Sequence, residues 1–67
     1  MPDRKLGQNL KSAREKVGLT QQQVADKTGI HVNYYARMEQ GRVEVPLRRL
    51  NAYAKLFKVK AKDLLPN

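Results

Sequence analysis

The chain has 67 residues, with 14 Lys and Arg against 6 Asp and Glu, for a formal charge of +8. This length predicts a single domain over residues 1–67, too short for a catalytic domain beside a regulatory one. Apolar residues make up 40% of the chain, which supports a small core and argues against a wholly disordered basic tail. The surplus positive charge favours DNA, RNA, an anionic membrane surface or an acidic protein as partner.

Missing residue types narrow the function classes further. With no cysteine, the chain can form neither a disulfide framework nor a thiolate zinc site. One histidine and one serine provide no nucleophile–base set and no metal-ligand spacing, so we expect neither an enzyme nor a cofactor. No apolar run approaches the length of a membrane-spanning helix, which is about 20 residues. We therefore expect neither a membrane partner nor a small-molecule ligand.

The first predicted helix carries an apolar residue at each helical turn and ends at Gly18, where a left-handed residue commonly closes a helix. Its apolar stripe consists of Leu6, Leu10, Ala13 and Val17. Gly7 lowers helix propensity near its start. The second helix has the clearest start signal, because Thr20 and Gln23 have the spacing of a capping box. We predict that it spans residues 21–28 and stops at Gly29.

Three more helices follow. The third is predicted over about residues 32–40, with Tyr35 and Met38 facing inward. The fourth starts at Pro46, which suits the first helical position. Its apolar stripe consists of Leu47, Leu50, Tyr53, Ala54 and Phe57. A short fifth helix covers about residues 61–65, and no segment shows the alternation of a strand.

Five short helices predict a compact all-α domain. Its distinctive part is the pair over 21–28 and 32–40, joined by a tight turn at Gly29. Two helices joined in this way form a helix-turn-helix, whose second helix can enter the major groove of DNA.

The segment GLTQQQVADKTGIHVNYYARMEQG resembles the Cro/repressor-type (lambda-repressor-like, XRE) family of DNA-binding proteins. The flanks are similar too, with the Leu-x-x-x-Arg pattern at 10–14 and the Val-x-x-x-x-Leu-Leu pattern at 59–65. The resemblance implies a five-helix lambda-repressor-like fold, a cytoplasmic location and a prokaryotic or phage origin. Three residues depart from the family pattern: His31 replaces Ser or Thr, Val45 replaces Pro, and Lys58 replaces Gly. Histidine is a weaker helix cap than Ser or Thr.

The third helix is the expected reader of bases. The proposed base contacts are His31, Val32, Asn33 and Arg37. Asn33 and Arg37 are four residues apart and share a face. Asn can bind both N6 and N7 of adenine, Arg can bind O6 and N7 of guanine, and Val can touch a thymine methyl. The alternative is an ordinary solvated polar face.

Backbone contacts are expected on both sides of this helix. The proposed phosphate contacts are Gln21, Gln22, Tyr34, Arg42, Arg48 and Arg49. The unpaired N–H groups at the start of the second helix favour an anion. Cations in the first turn of the fourth helix oppose its dipole, which makes better sense with phosphate nearby. A hydrated surface is the alternative for the arginines, and a structural role for Tyr34. The resemblance further implies an ion pair between Arg14 and Glu39.

These features predict a sequence-specific regulator of transcription that binds double-stranded DNA, as repressors do, and that acts as a homodimer on a pseudo-palindromic operator. Apolar candidates for the dimer contact are Val43, Val45, Leu64 and Leu65, although one of the two leucines is also expected in the core. The alternative is an antitoxin-like or adaptor module that uses the same scaffold to bind protein. RNA binding ranks third, because the stacking aromatics it needs are absent. The C-terminal lysines 55, 58, 60 and 62 are interpreted as a solvated face.

Overall fold

The computed structural model describes residues 3–66, and within that range it contains five helices and no strand. They are α1 (Arg4–Lys16), α2 (Gln21–Thr28), α3 (Val32–Glu39), α4 (Leu47–Phe57) and α5 (Ala61–Leu64). The predicted five-helix, all-α fold is confirmed. No helix in the described range is long and apolar enough to cross a membrane.

Side-chain caps determine where the first two helices begin. The Asp3 carboxylate accepts hydrogen bonds from the backbone N–H groups of Lys5 (2.9 Å) and Leu6 (3.2 Å) at the start of α1. At α2 the capping box is complete, because Thr20 Oγ1 accepts from Gln23 N at 3.0 Å and Gln23 Oε1 accepts from Thr20 N at 2.8 Å. Each bond satisfies a backbone donor that the helix itself leaves unpaired. In the structure α2 spans Gln21–Thr28.

All five helices contribute side chains to one core, and α1 packs against α3, α4 and α5. Its largest side chains, all less than 2% exposed, are Tyr35, Tyr53, Phe57, Leu10, Met38, Leu64 and Val24. The rings of Tyr35 and Tyr53 meet edge to face with centroids 5.3 Å apart, and Tyr53 stacks on Phe57 at 6.1 Å. Offset and edge contacts of this kind add to the free energy of burying the rings. The rings thus join the inner face of α3, through Tyr35, to α4.

Two glycines allow the backbone of α1 to lie close to the end of α3 and to the residues that follow it. A Cβ at Gly7 would lie 2.6 Å from the Met38 carbonyl oxygen and would also collide with that of Glu39. A Cβ at Gly41 would lie 2.5 Å from Arg4 Cα. Gly7 is therefore required by close packing, a role that its low helix propensity does not reveal.

The fourth helix differs slightly from the prediction at its start. Pro46 is extended (φ −58°, ψ 148°) and precedes the helix as its cap, so α4 begins at Leu47 rather than at Pro46. The Pro46 carbonyl accepts from Leu50 N at 2.9 Å. At the other end, Lys58 closes α4 in the left-handed conformation (φ 61°), the conformation that the family glycine would adopt without strain.

The fifth helix joins the two ends of the fold. It ends at Leu64, one residue earlier than predicted. The Leu64 side chain is 1% exposed, whereas Leu65 is 47% exposed. Asn9 Nδ2 donates to the Leu64 carbonyl at 3.0 Å and so connects α1 to the end of α5.

Lys58→Gly is expected to raise the free energy of unfolding by up to about 1 kcal/mol. A left-handed non-glycine residue costs about 1–2 kcal/mol, and the greater freedom of glycine in the unfolded chain offsets part of the gain. Urea unfolding measures the difference. Lys55→Gly, inside α4, is the control and should lower the stability by about 1 kcal/mol. A glycine that destabilises equally at both positions would contradict the expected relief of strain.

Candidate nucleic-acid interface

The turn between α2 and α3 sets the orientation of the two helices. Gly29 ends α2 in the left-handed conformation (φ 71°), and Ile30 N donates to the Ala25 carbonyl at 3.1 Å. His31 is extended and immediately precedes α3. The chain therefore reverses within three residues, and α2 packs directly against α3.

The side chains predicted to read bases lie at the start and on the outer side of α3. Asn33 and Arg37 are exposed, on the face away from the buried Tyr35 and Met38. Val32 is half-buried and packs against the core, which leaves only part of its side chain for a partner. The arrangement presents an amide and a guanidinium side by side in solvent.

His31 caps α3 in place of the usual Ser or Thr. Its Nδ1 accepts a hydrogen bond from Asn33 N at 3.1 Å, and its side chain is otherwise exposed. A ring nitrogen thus takes the position normally held by a hydroxyl oxygen. Although His31 departs from the family pattern, α3 still begins with a side-chain cap.

The predicted phosphate contacts lie on several elements. Gln22 at the start of α2 is exposed and donates to Asp26 Oδ1 at 2.9 Å, within the same helix. Tyr34 is half-buried against the core. Arg42 and Arg48 are exposed, and Arg42 makes only a long contact of 3.4 Å with Gln40 Oε1. These two arginines are free to turn toward a polyanion.

Arg49 has a structural contact that the sequence did not predict. It is half-buried, and its Nη1 donates to the Thr28 carbonyl at 3.2 Å. Thr28 is the last residue of α2, where carbonyls lack partners and a positive charge is favourable. Arg49 therefore ties α4 to the helix-turn-helix. The two residues are 21 positions apart, so local spacing gives no signal of this contact.

A buried polar cluster links the first three helices. Arg14 Nε donates to Glu39 Oε2 at 2.6 Å and Arg14 Nη2 to Oε1 at 3.2 Å. Arg14 Nη1 also donates to the Leu19 carbonyl at 2.8 Å. Gln21 Nε2 donates to the same Glu39 Oε1 at 2.9 Å. The Gln21 side-chain amide thus donates to Glu39, and the backbone N–H of Gln21 takes no part in this cluster.

The cluster shifts the ionisation of its members. Burial alone would raise the pKa of Glu39, but the hydrogen bonds from Arg14 and Gln21 outweigh it and hold the pKa below its usual range. The hydrogen bond to Glu39 raises the pKa of Arg14. Burial, followed by the nearby Glu39 carboxylate, raises the pKa of Tyr35, whose hydroxyl lies beside the cluster without a well-directed hydrogen bond. Glu39 is therefore ionised and Tyr35 neutral at physiological pH.

The structure corrects one of the apolar candidates for a dimer contact. Leu64 is 1% exposed, because it fills the core between α1, α4 and α5 and cannot also contact a second copy. Val43 and Val45 are half-buried, while Leu65 remains exposed. Leu47, assigned to the core stripe from the sequence, is instead 71% exposed at the start of α4.

Two further features define the rest of the surface. Lysines 55, 58, 60 and 62 are all exposed, toward the C-terminal end of the chain. Between residues 3 and 66, no group of three or more His, Asp or Glu side chains is placed to hold a metal ion.

Comparisons with known proteins agree with this geometry. A family model described as helix-turn-helix matches residues 10–64. The restriction-modification controller protein C.AhdI from Aeromonas hydrophila superposes with a TM-score of 0.85 at 27% identity, over 92% of this chain and 94% of that one. The DNA-binding domain of BldD gives a TM-score of 0.83 at 27% identity, over 97% and 94%. The S. venezulae BldD DNA-binding domain gives 0.81 at 28%, over 94% of both chains. A search of curated proteins found no match.

Proposed function

The chain belongs to the helix-turn-helix family of DNA-binding transcription regulators, of the XRE type, and we propose that it reads a specific duplex sequence with α3 in the major groove. The family and the structural neighbours point to a non-enzymatic regulator. Two of its structural neighbours are the restriction-modification controller protein C.AhdI and the DNA-binding domain of BldD.

The observation that carries this proposal is the polar outer face of α3. Asn33 and Arg37 share that face, and neither side chain is held by another described residue. An exposed amide and guanidinium at this spacing match the acceptors and donors of adenine and guanine in the major groove. His31 and Val32, at the start of α3, complete the proposed reading surface.

Phosphate contacts position this face. The start of α2, with the N–H of Gln21 and the side chain of Gln22, offers donors to one strand. Arg42 and Arg48 are exposed cations that follow α3 in the chain, and Tyr34 contributes a hydroxyl. Arg49 acts mainly by holding the end of α2, and its remaining N–H groups can still contact phosphate.

We propose that two copies bind together. One module of this size covers about 600–1,000 Å² of protein surface on DNA, so useful affinity favours a homodimer on a pseudo-palindrome with half-sites about 34 Å apart. The exposed Leu47 and Leu65, with Val43 and Val45, supply apolar surface for the contact. A repressor in the cytoplasm of a bacterium or phage-infected cell fits these properties.

An antitoxin-like or adaptor function is the second candidate. Such a protein uses the helix-turn-helix as a scaffold and needs no pair of base-reading side chains on α3. Selection of binding sites from a random duplex pool separates the two functions. Selection of a palindromic sequence supports base readout by a dimer. If no sequence is enriched over random DNA at either of two salt concentrations, the adaptor function is favoured.

Arg37→Ala and Arg42→Ala are expected to weaken binding in different ways. Loss of Arg37 should cost about 1–3 kcal/mol on the selected site and relax the choice at one base pair. Loss of Arg42 should weaken binding to all sequences and reduce the slope of log K against log salt by about one. Titration of selected and random duplexes at several salt concentrations measures both effects. Equal losses on both duplexes for Arg37→Ala would rule out its base contact.

A further inference from the structure

The hydrogen bond that caps α3 determines which nitrogen of His31 carries its proton. Nδ1 accepts from Asn33 N at 3.1 Å, and an accepting nitrogen has no hydrogen. In the neutral ring the proton must then be on Nε2. Among residues 3–66, none accepts a hydrogen bond from this Nε2, and the His31 side chain is exposed. The ring therefore presents solvent with a donor of fixed identity.

We infer that the Nε2–H group of His31 is a donor that binds a hydrogen-bond acceptor on the DNA. This rests on the proposed function, because His31 stands at the start of α3, two residues before Asn33. An N–H donor matches purine N7, guanine O6, thymine O4 or a phosphate oxygen. It does not match the amino groups of adenine N6 or cytosine N4, which are donors themselves.

The same side chain thus performs two roles that are coupled through one ring. A ring turned to offer Nδ1–H to the DNA would lose the cap on Asn33 N and leave a backbone donor of α3 unpaired. Serine or threonine can supply the cap, but their hydroxyl is too short to extend as far as Nε2. Histidine at this position extends the reading surface beyond the reach of the usual family residues.

Two substitutions separate the roles. His31→Ser keeps a strong cap and removes the distal donor, whereas His31→Ala removes both. We expect His31→Ser to unfold at a temperature no lower than the wild type and His31→Ala to unfold at a lower one. Both should bind the selected duplex roughly twofold to tenfold more weakly, the effect of one hydrogen bond. Wild-type affinity in His31→Ser would overturn the inference.

Modified duplexes identify the acceptor. 7-Deazapurine lacks N7, 2-aminopurine lacks guanine O6, 5-methyl-2-pyrimidinone lacks thymine O4, and a methylphosphonate lacks the charged phosphate oxygen. One of these changes should weaken wild-type binding and leave His31→Ser binding unaffected, which distinguishes a base from a phosphate contact. If every change weakens both proteins equally, His31 contacts no acceptor and the inference fails.

The tautomer can be tested without DNA. The chain has one histidine, so ¹H–¹⁵N imidazole spectra of the full chain need no assignment. In the neutral ring we expect Nε2 to carry the proton and Nδ1 to be unprotonated. A protonated Nδ1 would overturn the inference even if the protein binds DNA. A wild-type chain that selects no duplex would instead refute the proposed function, and with it this contact.

Discussion

Arg14→Met is expected to lower the free energy of unfolding by about 3–5 kcal/mol, because it leaves Glu39 charged, buried and without its main partner. The Glu39 side chain is only 3% exposed and receives both of its short guanidinium contacts from Arg14. Methionine has nearly the length of the arginine stem, so packing changes little. The stability of a domain this size is of the order of 5 kcal/mol, so the variant keeps at most about 2 kcal/mol and up to about half of its molecules should be unfolded at room temperature. Circular dichroism with urea titration measures the loss.

The double variant Arg14→Met/Glu39→Met tests the origin of this loss. Replacing both charges by apolar side chains of similar volume is often neutral, so the double variant should be more stable than either single variant. A coupling energy well above zero would show that the pair interacts directly. Losses that simply add would contradict the ion pair.

The pH dependence provides a second measurement of the same pair. Because the pKa of folded Glu39 lies below its ordinary value, its ionised form contributes stability that is complete above the pKa of the unfolded side chain. That contribution is lost as the pH falls through the lower pKa of the folded state. The stability difference between wild type and Glu39→Gln should therefore be largest near neutral pH and shrink under acid. A difference that stays constant with pH would refute this linkage.

Gly7→Ala is expected to destabilise the protein by about 3 kcal/mol, although alanine is the better helix former by about 1 kcal/mol. The new methyl would collide with the carbonyl oxygens of Met38 and Glu39, and both are backbone atoms that cannot rotate away. The end of α3 must shift, together with the Glu39 side chain. For a domain of this size the loss corresponds to a fall in melting temperature of about 12–24 °C.

Gly18→Ala is the matched control. A Cβ there would contact nothing within 4 Å, so only its left-handed backbone (φ +78°) opposes the change. The cost should be about 1–2 kcal/mol, smaller than at Gly7. Thermal unfolding of both variants compares the two glycines. A larger loss at Gly18 would mean that backbone conformation, and not the collision with α3, dominates.

Local signals predicted the helices well. The capping box of Thr20 and Gln23, the glycine stop at 29 and the apolar stripes depend on residues close together in the sequence. They predicted α2 over about residues 21–28, and the structure has it at Gln21–Thr28. The differences between the predicted and the observed helices lie at helix ends, where one residue can be either the cap or part of the first turn. Pro46 is such a case, since an extended proline preceding the helix satisfies the same restriction on φ.

Contacts between distant segments could not be predicted in the same way. Gly7 meets the carbonyls of α3, Arg49 meets the end of α2, and Leu47 points outward although its spacing suits the core stripe. Each depends on how two helices cross, which spacing within one helix does not encode. For the candidate site, the sequence identified the exposed face of α3, while the ring nitrogen that caps it emerged only from the backbone geometry around Asn33.

The hydrogen bond from Asn9 to the Leu64 carbonyl has a consequence for the order of folding. It joins residues 55 positions apart, whereas α2 and α3 are separated by a three-residue turn. Closing the longer loop costs more chain entropy. Contacts between α1 and α5 offset that cost only after the intervening helices have formed. We expect the α2–α3 pair to be structured in the folding transition state and the junction of α1 with α5 to close last. Substitutions at Asn9 should therefore accelerate unfolding and leave the folding rate nearly unchanged.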